Sequence, residues 1–276
     1  MGSRSWNILS LCSGYGGLDL ALRLAVPDAR TICMVEREGY LASVLVQRME
    51  EALLDQAPVW TDLRTFDGRP WRGKVHCIAS GFPCQPFSKA GRLGQQDDPR
   101  YLWPHVGRII GECGPPFVFI ENVANLLRRG FELVQDDLRS MGYRVAAGLF
   151  TAAEAAATHY RERMFVLAWS GASDWPALDL GDPDCEGLEG RQLHEPGHSG
   201  YERPTWPPGP EARADWMAVL EQEAHLEPGF CRVADGRANF VDRIRACGNG
   251  VVPAMAALAF THLSRVLGCP AFGGRN

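Results

Sequence analysis

Short apolar runs alternate with segments of helical periodicity through the first two-thirds of the chain. The runs have the length of buried strands, and the segments between them repeat apolar residues at helical spacing. The predicted strands are residues 7–11, 31–35, 75–80 and 117–120, and the predicted helices are residues 18–25, 40–54, 101–113 and 131–141. This alternation is typical of an α/β fold with a parallel sheet. The first strand, its glycine-rich turn and the next helix form the opening of a Rossmann-like unit.

A predicted hairpin reverses the direction of one strand. The segments expected to pair are residues 143–150 and 164–169. The strand that starts near Arg163 would then run against the parallel strands, and its beginning would share a sheet edge with their C-terminal ends. Ligands bind at that edge in open α/β sheets. Arg163 and Arg161 are therefore expected to approach Glu121. Cys84, at the end of another predicted strand, is expected at the same edge.

The composition changes between residues 171 and 229, where glycine, proline and charged residues dominate. Only residues 216–224 keep a helical pattern there, so a small, loop-rich insert is predicted. Periodicity returns in a predicted helix at residues 239–247, followed by a Gly-Asn-Gly turn and a last apolar helix that runs to Leu267. The expected domains are one formed by residues 1–170 and 238–276 and a second, smaller one at residues 171–237.

A hydrophobic fraction of 46% over 276 residues is enough for one large α/β domain with a small lobe. No run approaches the roughly 20 apolar residues of a membrane span. The N-terminus lacks a signal-peptide pattern. The nine cysteines form an odd set without a Cys-x-x-Cys pair, which argues against a disulfide framework and against a zinc site. A cytoplasmic protein with no membrane partner and no metal is expected.

The net charge of −5 counts weakly against nucleic-acid binding, since domains of that kind are usually basic. The arginines are clustered, however, and a local patch matters more than the sum of charges. The clusters are Arg161 with Arg163, and Arg232 with Arg237, Arg243 and Arg245.

The turn after the first strand carries Gly14, Gly16 and Gly17. A dinucleotide fingerprint would need a further glycine where Asp19 stands. Glu36 closes the second strand about 20 residues later, at the spacing at which a carboxylate reaches the ribose hydroxyls of a nucleoside. The pattern therefore favours a nucleoside-bearing cofactor without a pyrophosphate.

Cys84 lies between Pro83 and Pro86, directly after the predicted strand at residues 75–80. The prolines restrict the backbone on both sides, so the thiol would be presented on a stiff loop. A lone cysteine is more often a buried structural residue, so other motifs must decide its role. The polar, glycine-containing residues 89–100 are predicted to form a mobile lid.

Five segments resemble, in order, the signature motifs of the C5-cytosine DNA methyltransferases. They are Leu11-Cys12-Ser13-Gly14-Tyr15-Gly16-Gly17, Gly81-Phe82-Pro83-Cys84-Gln85-Pro86-Phe87-Ser88, Glu121-Asn122-Val123, Arg161-Glu162-Arg163 and Gly248-Asn249-Gly250-Val251-Val252-Pro253. Pro-Cys-Gln together with Glu-Asn-Val is highly specific. The resemblance implies a Rossmann-like class I methyltransferase with a mixed, mostly parallel sheet. It also implies that the larger expected domain is catalytic and the smaller one a target recognition domain.

The resemblance implies S-adenosylmethionine as the methyl donor. The glycine turn would line its methionine side, Glu36 would hold the ribose hydroxyls, and Asp62 would hold the adenine amino group. The late Gly-Asn-Gly turn would return to close the pocket. The implied cofactor-binding residues are Ser13, Gly14, Gly16, Gly17, Glu36, Asp62, Leu63, Pro83, Asn249 and Val251.

The implied catalytic residues are Cys84, Glu121, Arg161 and Arg163. The Cys84 thiolate would add to carbon 6 of cytosine and so make carbon 5 nucleophilic. Glu121, with a pKa raised by burial, would protonate or hydrogen-bond ring N3, and Arg163 would bind O2. Arg161 would assist or hold a backbone phosphate. The main-chain carbonyl of Phe82 would accept a hydrogen bond from the exocyclic amine.

A cytosine inside a duplex is out of reach of such a thiol, so double-stranded DNA would have to present the base flipped out. Ser88, Lys89 and Arg92 are expected to hold phosphates around the vacated position. Arg232 and Arg237 are expected to add DNA contacts. The resemblance implies double-stranded DNA with a short target site as the partner of a monomer. A cognate restriction endonuclease is a second candidate partner, as in restriction–modification.

The chain departs from the family pattern in three places. Cys12 stands where the family often has a phenylalanine that stacks on adenine, and Thr158-His159 replaces Pro-Gln before the Arg-x-Arg. Residues 231–237 lie where the family has another motif. A smaller contact to the adenine is expected from Cys12.

Three other functions compete with this interpretation. A tRNA cytosine methyltransferase would carry a Cys-Phe-Thr element, which residues 170–247 lack. A non-catalytic relative would be expected to have lost Cys84, Glu121 or Arg163, and all three are present. An NAD-dependent oxidoreductase is disfavoured by Asp19 and by the Pro-Cys-Gln loop.

Overall fold

The chain forms one seven-stranded sheet in the order β3-β2-β1-β4-β5-β7-β6. The computed structural model describes residues 6–83, 101–155, 157, 159–171 and 250–269. The strands are β1 (Trp6–Leu11), β2 (Ala29–Val35), β3 (Val59–Trp60), β4 (Cys77–Ser80), β5 (Phe117–Val123), β6 (Arg144–Thr151) and β7 (Glu162–Trp169). Of these, β7 alone runs in the direction opposite to the other six strands. The predicted mixed, mostly parallel Rossmann-like sheet is confirmed.

Helices cover both faces of this sheet. They are α1 (Gly17–Ala25), α2 (Gly39–Glu50), α3 (Trp103–Cys113), α4 (Leu126–Arg129), α5 (Phe131–Ser140) and α6 (Pro253–Leu267). Side chains alternate along each strand, so Ile8 joins the core beneath α1 and α6 while Leu9 joins the core beneath α3 and α5. The burial of both faces explains why the inner strands are nearly continuous apolar runs.

An aromatic cluster attaches the last helix to the sheet. Phe260 of α6 meets Phe119 edge-on at a centroid distance of 5.2 Å and Trp6 at 6.0 Å. Phe119 stacks on Phe165 of β7 at 5.6 Å. Edge-to-face and stacked ring pairs contribute beyond the area that they bury. The cluster therefore fixes α6 over β5 and β7, close to the elements that carry the candidate site.

A fully buried carboxyl joins three elements beside the glycine turn. Asp19, in the first turn of α1, accepts hydrogen bonds from Ser10 Oγ at 2.9 Å and from Thr31 Oγ1 at 2.7 Å. Thr31 faces α1 because β2 carries one extra residue next to it, relative to β1. Burial raises the pKa of Asp19, while the two hydroxyl bonds oppose that shift. The residue that breaks the dinucleotide pattern thus ties α1 to β1 and β2.

Helix α2 ends at Glu50, earlier than the predicted end at residue 54. Ala52 adopts a left-handed backbone with a φ of 57°. The N–H of Leu53 then donates to the carbonyl of Arg48 at 2.9 Å, which is the bond of a Schellman cap. Glycine is the usual residue at the left-handed position, so the pattern of the sequence carried no stop signal here.

Strands β5 and β7 reach further toward the candidate site than their apolar patterns predicted. Their pairing continues through the polar end of β5, where Asn122 lies opposite Met164 and Val123 lies opposite Arg163. The predicted hairpin of β6 and β7 is confirmed as an antiparallel pair. Polar residues within a strand end lower its apolar signal, which is why the two strands were predicted too short.

Several sequence predictions fall outside the described residues. They concern the loop at 84–100 with its proposed lid, the predicted insert at 171–237 apart from Gly171, the helices at 216–224 and 239–247, and Asn249. In the part of the chain that the structure does describe, no helix has the length and apolar character needed to cross a membrane.

We expect Phe260→Ala to lower the free energy of unfolding by about 3–5 kcal/mol, because it leaves a cavity among packed rings. Val266→Ala on the same helix is the matched control, since the Val266 side chain is 61% exposed. The control should change stability by no more than about 0.5 kcal/mol. Urea unfolding followed by circular dichroism measures both variants. Equal effects of the two substitutions would contradict this packing role.

Candidate active site

The antiparallel pairing of β5 and β7 brings a guanidinium against a buried carboxyl. Arg163 Nε lies 3.1 Å from Glu121 Oε1, and Arg163 Nη1 also donates to the carbonyl of Glu162 at 2.8 Å. Glu121 lies at the C-terminal end of β5, and Arg163 lies at the start of β7. The predicted approach of these two residues is therefore present in the structure.

The environment of Glu121 changes its acidity. Burial raises the pKa of this carboxyl to about 7, although the charges of Arg163 and Arg161 oppose the shift. The side chain is nearly inaccessible, with a residue exposure of 7%. At neutral pH both protonation states are populated, so Glu121 can donate a proton as well as accept a hydrogen bond.

The segment that leads to Cys84 is held beside Glu121. Asn122 Nδ2 donates to the carbonyl of Phe82 at 3.0 Å, and a Cβ added at Gly81 would lie 3.5 Å from Glu121 Oε2. The Phe82 ring packs on Trp103 with a centroid distance of 5.6 Å. The backbone after β4 is thus fixed at the carboxyl end of β5. The Phe82 carbonyl already accepts one hydrogen bond and keeps capacity for a second.

Cys84 follows Pro83, the last described residue of this segment. Cys84 itself lies outside the described ranges, and so do the predicted DNA-binding residues. Those residues are Ser88, Lys89, Arg92, Arg232 and Arg237. What the structure establishes is the position of the chain where it leaves β4, next to Glu121.

The glycine turn opens a space at the C-terminal end of β1. Gly14 has a φ of 58°, and a Cβ placed on it would meet no heavy atom within 4 Å. The N–H of Gly14 donates to Glu36 Oε2 at 2.8 Å, and the N–H of Glu38 donates to Oε1 at 2.8 Å. Ser13 Oγ donates to the carbonyl of Ser10 at 3.1 Å. The turn and the Glu36 carboxylate are therefore positioned by each other.

Burial raises the pKa of Glu36, and the backbone N–H groups around its carboxyl oppose the shift. Asp62 follows the neighbouring strand β3 at the same edge of the sheet. Its Oδ1 accepts from the N–H of Arg64 at 2.9 Å, and its carbonyl accepts from Trp60 Nε1 at 3.1 Å. Leu63 is buried directly after it. Two carboxyl groups thus line adjacent strand ends.

The start of α6 closes on the glycine turn. Tyr15 Oη donates to the carbonyl of Val251 at 2.5 Å, and the Arg161 guanidinium donates to the carbonyl of Gly250. A Cβ at Gly250 would lie 1.9 Å from Tyr15 Cε1, so a side chain at 250 would displace the tyrosine. Position 17 likewise has no room for a side chain, since a Cβ added at Gly17 would lie 2.7 Å from Val251 Cγ1. Gly250 and Val251 therefore lie between the turn and Arg161.

The family model of the C-5 cytosine-specific DNA methylases matches residues 6–197. The chain belongs to that family. The resemblance seen in the motifs is thereby confirmed.

Curated relatives include type II methyltransferases. M.NgoMIV of Neisseria gonorrhoeae is 29% identical over 194 residues, covering 65% of this chain and 58% of that protein. M.Eco47II of Escherichia coli is 30% identical over 181 residues, covering 59% of this chain and 39% of that protein. The chain thus spans somewhat more than half of the length of the first relative and less than half of the second.

Solved structures support the fold. The S. pombe Dnmt2 methyltransferase has a TM-score of 0.61 at 16% identity and covers 95% of this chain and 99% of that one. A Spodoptera frugiperda DNMT2 mutant has a TM-score of 0.52 at 21% identity, covering 62% and 52%. At these identities the likeness concerns the fold.

Cys12 has a left-handed backbone with a φ of 53° and lies partly buried beside Glu36. Burial, and then the charge of Glu36, raises the pKa of its thiol to about 12. Burial likewise raises the pKa of every other cysteine in the described residues, namely Cys33, Cys77, Cys113 and Cys269. These thiols are poor nucleophiles, because the thiolate is the reactive form.

The contacts of Tyr15, Asn122 and Asp19 were not predicted from the sequence. A weak signal existed for Asn122, since asparagine is disfavoured within a buried strand and needs partners there. No signal existed for Tyr15, whose carbonyl partner lies 236 residues away in the sequence. Within the described residues, no group of three or more histidine, cysteine or acidic side chains could hold a metal ion.

Glu121→Gln should remove a dependence of stability on pH. Because the folded pKa of Glu121 is raised above its ordinary 4.5 to about 7, the protonated form stabilises the fold. That contribution is present below the unfolded pKa and is lost as pH rises through about 7. The stability of the variant relative to wild type should therefore increase between about pH 5 and about pH 8. Urea unfolding of both proteins at these pH values is the measurement, and a difference that stays constant with pH would contradict the raised pKa.

Proposed function

We propose that this protein transfers a methyl group from S-adenosylmethionine to carbon 5 of a flipped-out cytosine in double-stranded DNA, at a specific short sequence. The observation that carries the proposal is the buried Glu121–Arg163 pair, with a carboxyl pKa near neutrality, beside the Phe82 carbonyl that precedes Cys84. Membership of the C-5 cytosine-specific DNA methylases supports it. The proposed catalytic residues are Cys84, Glu121, Arg161 and Arg163.

The chain's own residues fit the proposed cofactor. The open space at Gly14, bounded by the Glu36 carboxylate, is suited to a nucleoside with a small attached group. Glu36 is proposed to accept hydrogen bonds from the ribose hydroxyls, and Asp62 from the adenine amino group. Beside it, Gly17 packs tightly against Val251 and Gly16 packs tightly against Leu54. When bound, S-adenosylmethionine supplies an electrophilic methyl group.

Glu121 and Arg163 suit a cytosine ring that becomes electron-rich. Addition of a thiolate to carbon 6 places negative charge on N3 and O2 of the ring. The protonated Glu121 carboxyl would donate to N3, and the Arg163 guanidinium would donate toward O2. The Phe82 carbonyl would accept from the exocyclic amine. These three groups together match the hydrogen-bonding edge of cytosine and reject thymine, which has a carbonyl where cytosine has that amine.

Cys84 is proposed as the nucleophile. Its Sγ would form a bond to carbon 6, and carbon 5 would then accept the methyl group. Loss of the proton from carbon 5 and release of the Cys84 thiolate would restore the aromatic ring. The backbone position of Gly81 beside Glu121, and of Phe82 beside Asn122, supports this assignment, as do the raised pKa values of the described cysteines.

Arg161 has a second proposed role besides assisting catalysis. Its guanidinium donates to the carbonyl of Gly250 and also lies close enough to Glu121 to lower the pKa of that carboxyl. It would therefore connect Gly250, at the proposed cofactor pocket, to Glu121, which is proposed to bind the base. This contact favours a positioning role for Arg161 over a phosphate contact.

The DNA contacts are proposed for the two segments that flank the site in sequence. Ser88, Lys89 and Arg92 would hold phosphates after base flipping, and Arg232 and Arg237 would add contacts from a target recognition domain at residues 171–237. Residues 1–170 and 238–276 would form the catalytic domain. The similarity to type II methyltransferases makes a cognate restriction endonuclease a reasonable partner of this proposed cytoplasmic monomer.

Cys84→Ala should abolish methyl transfer and leave binding of S-adenosylhomocysteine within about twofold of wild type, because the thiol is proposed to touch only the base. Cys269→Ala, at the end of α6, is the matched control and should keep activity. Transfer of labelled methyl groups to duplex DNA is measured beside titration calorimetry. Normal turnover by the Cys84→Ala protein would refute the assignment.

Duplex DNA that contains 5-fluorocytosine should trap the enzyme covalently, since fluorine at carbon 5 cannot leave as a proton does. On a denaturing gel, a slower-migrating protein–DNA adduct should appear with the wild-type protein and not with Cys84→Ala. A tRNA substrate tested in parallel separates the DNA-modifying interpretation from its RNA-modifying alternative. Trapping on RNA alone would overturn the proposed substrate.

A further inference from the structure

We propose that Arg108 of α3 is a positioning residue that determines cofactor affinity by holding the Asp62–Phe66 loop against α3. The inference rests on the proposed function, because that function assigns Asp62 to the adenine amino group. Arg108 lies outside all five motifs and its role was not predicted from the sequence.

The guanidinium of Arg108 donates hydrogen bonds to three backbone carbonyls of this loop. Arg108 Nη2 donates to the carbonyl of Leu63 at 3.1 Å and to that of Arg64 at 3.4 Å. Nη1 donates to the carbonyl of Phe66 at 3.0 Å. The planar fork of an arginine can reach several carbonyls at once, which a lysine ammonium cannot reproduce. The loop is therefore shaped around the Arg108 side chain.

Glu112 completes the arrangement one helical turn later. Its carboxylate lies 2.8 Å from Arg108 Nη1, and its Oε2 also accepts from the N–H of Gly68 at 2.8 Å. The ion pair thus spans the loop and the residues just after it. The Arg108 side chain is 35% exposed, so the pair contributes little to global stability. Its consequence is local, in the geometry of the loop.

The sheet alone does not hold this loop. Strand β3 is only two residues long and pairs with β2 at Val59 and Trp60 alone. The aromatic contacts of Phe66 with Trp60 and Trp71 fix its ring but not the neighbouring carbonyls. Asp62 takes its orientation from within the loop, through the N–H of Arg64. A loop released from Arg108 would therefore misplace the Asp62 carboxylate.

The test measures binding of S-adenosylhomocysteine by titration calorimetry. Arg108→Met keeps the aliphatic packing and removes the donors, so we expect the dissociation constant to rise about tenfold. Arg108→Lys should fall between that variant and wild type. Arg72→Met is the matched control, because Arg72 Nη2 donates to Gly111 of the same helix and not to the loop. The control should bind like wild type.

Kinetics supply a second measurement that a merely structural role would not produce. The KM for S-adenosylmethionine should rise about tenfold in Arg108→Met, with kcat within about twofold of wild type. Hydrogen exchange at the amides of residues 62–66 should accelerate in the variant and not in Arg72→Met, whether or not a cofactor is bound.

The outcomes separate this inference from the proposed function. Wild-type protein that binds no S-adenosylhomocysteine would overturn the proposed function, while exchange at residues 62–66 would still report on the role of Arg108 in the loop. Normal binding by Arg108→Met, or unchanged exchange in the loop, would overturn the inference alone. If Arg108→Met fails to fold, Arg108→Lys decides by the same measurements, and wild-type affinity in that variant refutes the need for the fork.

Discussion

The reversed direction of β7 is the constraint on which the candidate site depends. A parallel strand in this position would place Arg163 at the opposite edge of the sheet from Glu121. Because β7 is antiparallel to β5, its first residues lie beside the last residues of β5, and the guanidinium reaches the carboxyl. The same edge receives the ends of β1, β2, β3 and β4. Because the end of β6 lies there too, one change of direction brings the cationic start of β7 beside the ends of all six other strands.

Burial of an acid beside two arginines is a balance between opposing effects. Desolvation disfavours the carboxylate, while Arg163 and Arg161 favour it. Desolvation wins, and the carboxyl can therefore exist as a hydrogen-bond donor at neutral pH. A fully exposed Glu121 with the same two neighbours would stay ionised and could only accept. The packed core on both faces of the sheet therefore helps to set the pKa of Glu121, because it keeps water away from the carboxyl.

The fold could be predicted from the sequence because its signals are local and repeated. Apolar runs located β1, β2, β4 and β5, and the hairpin of β6 and β7 followed from two adjacent runs. The end of α2 could not be predicted, since Ala52 takes a conformation that alanine rarely adopts. Motif residues such as Glu121 could be recognised, because their types and order are distinctive.

Contacts between distant residues could not be predicted in this way. The bond from Asn122 to the Phe82 carbonyl, the Ser10 and Thr31 bonds to Asp19 and the guanidinium of Arg108 all depend on tertiary packing. None of them has a spacing that a periodic pattern could reveal. They also share a role, since each fixes backbone or a carboxyl near the edge where the site lies.

The contact of Tyr15 with Gly250 and Val251 has a consequence for the order of synthesis. Tyr15 is synthesised 236 positions before Val251, whose carbonyl it contacts. Closing a loop of this length costs more entropy than a local contact, so we expect this contact to form after the local ones. A nascent chain could therefore assemble its sheet before α6 closes on the glycine turn. A fragment that ends before Gly250 would therefore lack the residues that close on the glycine turn.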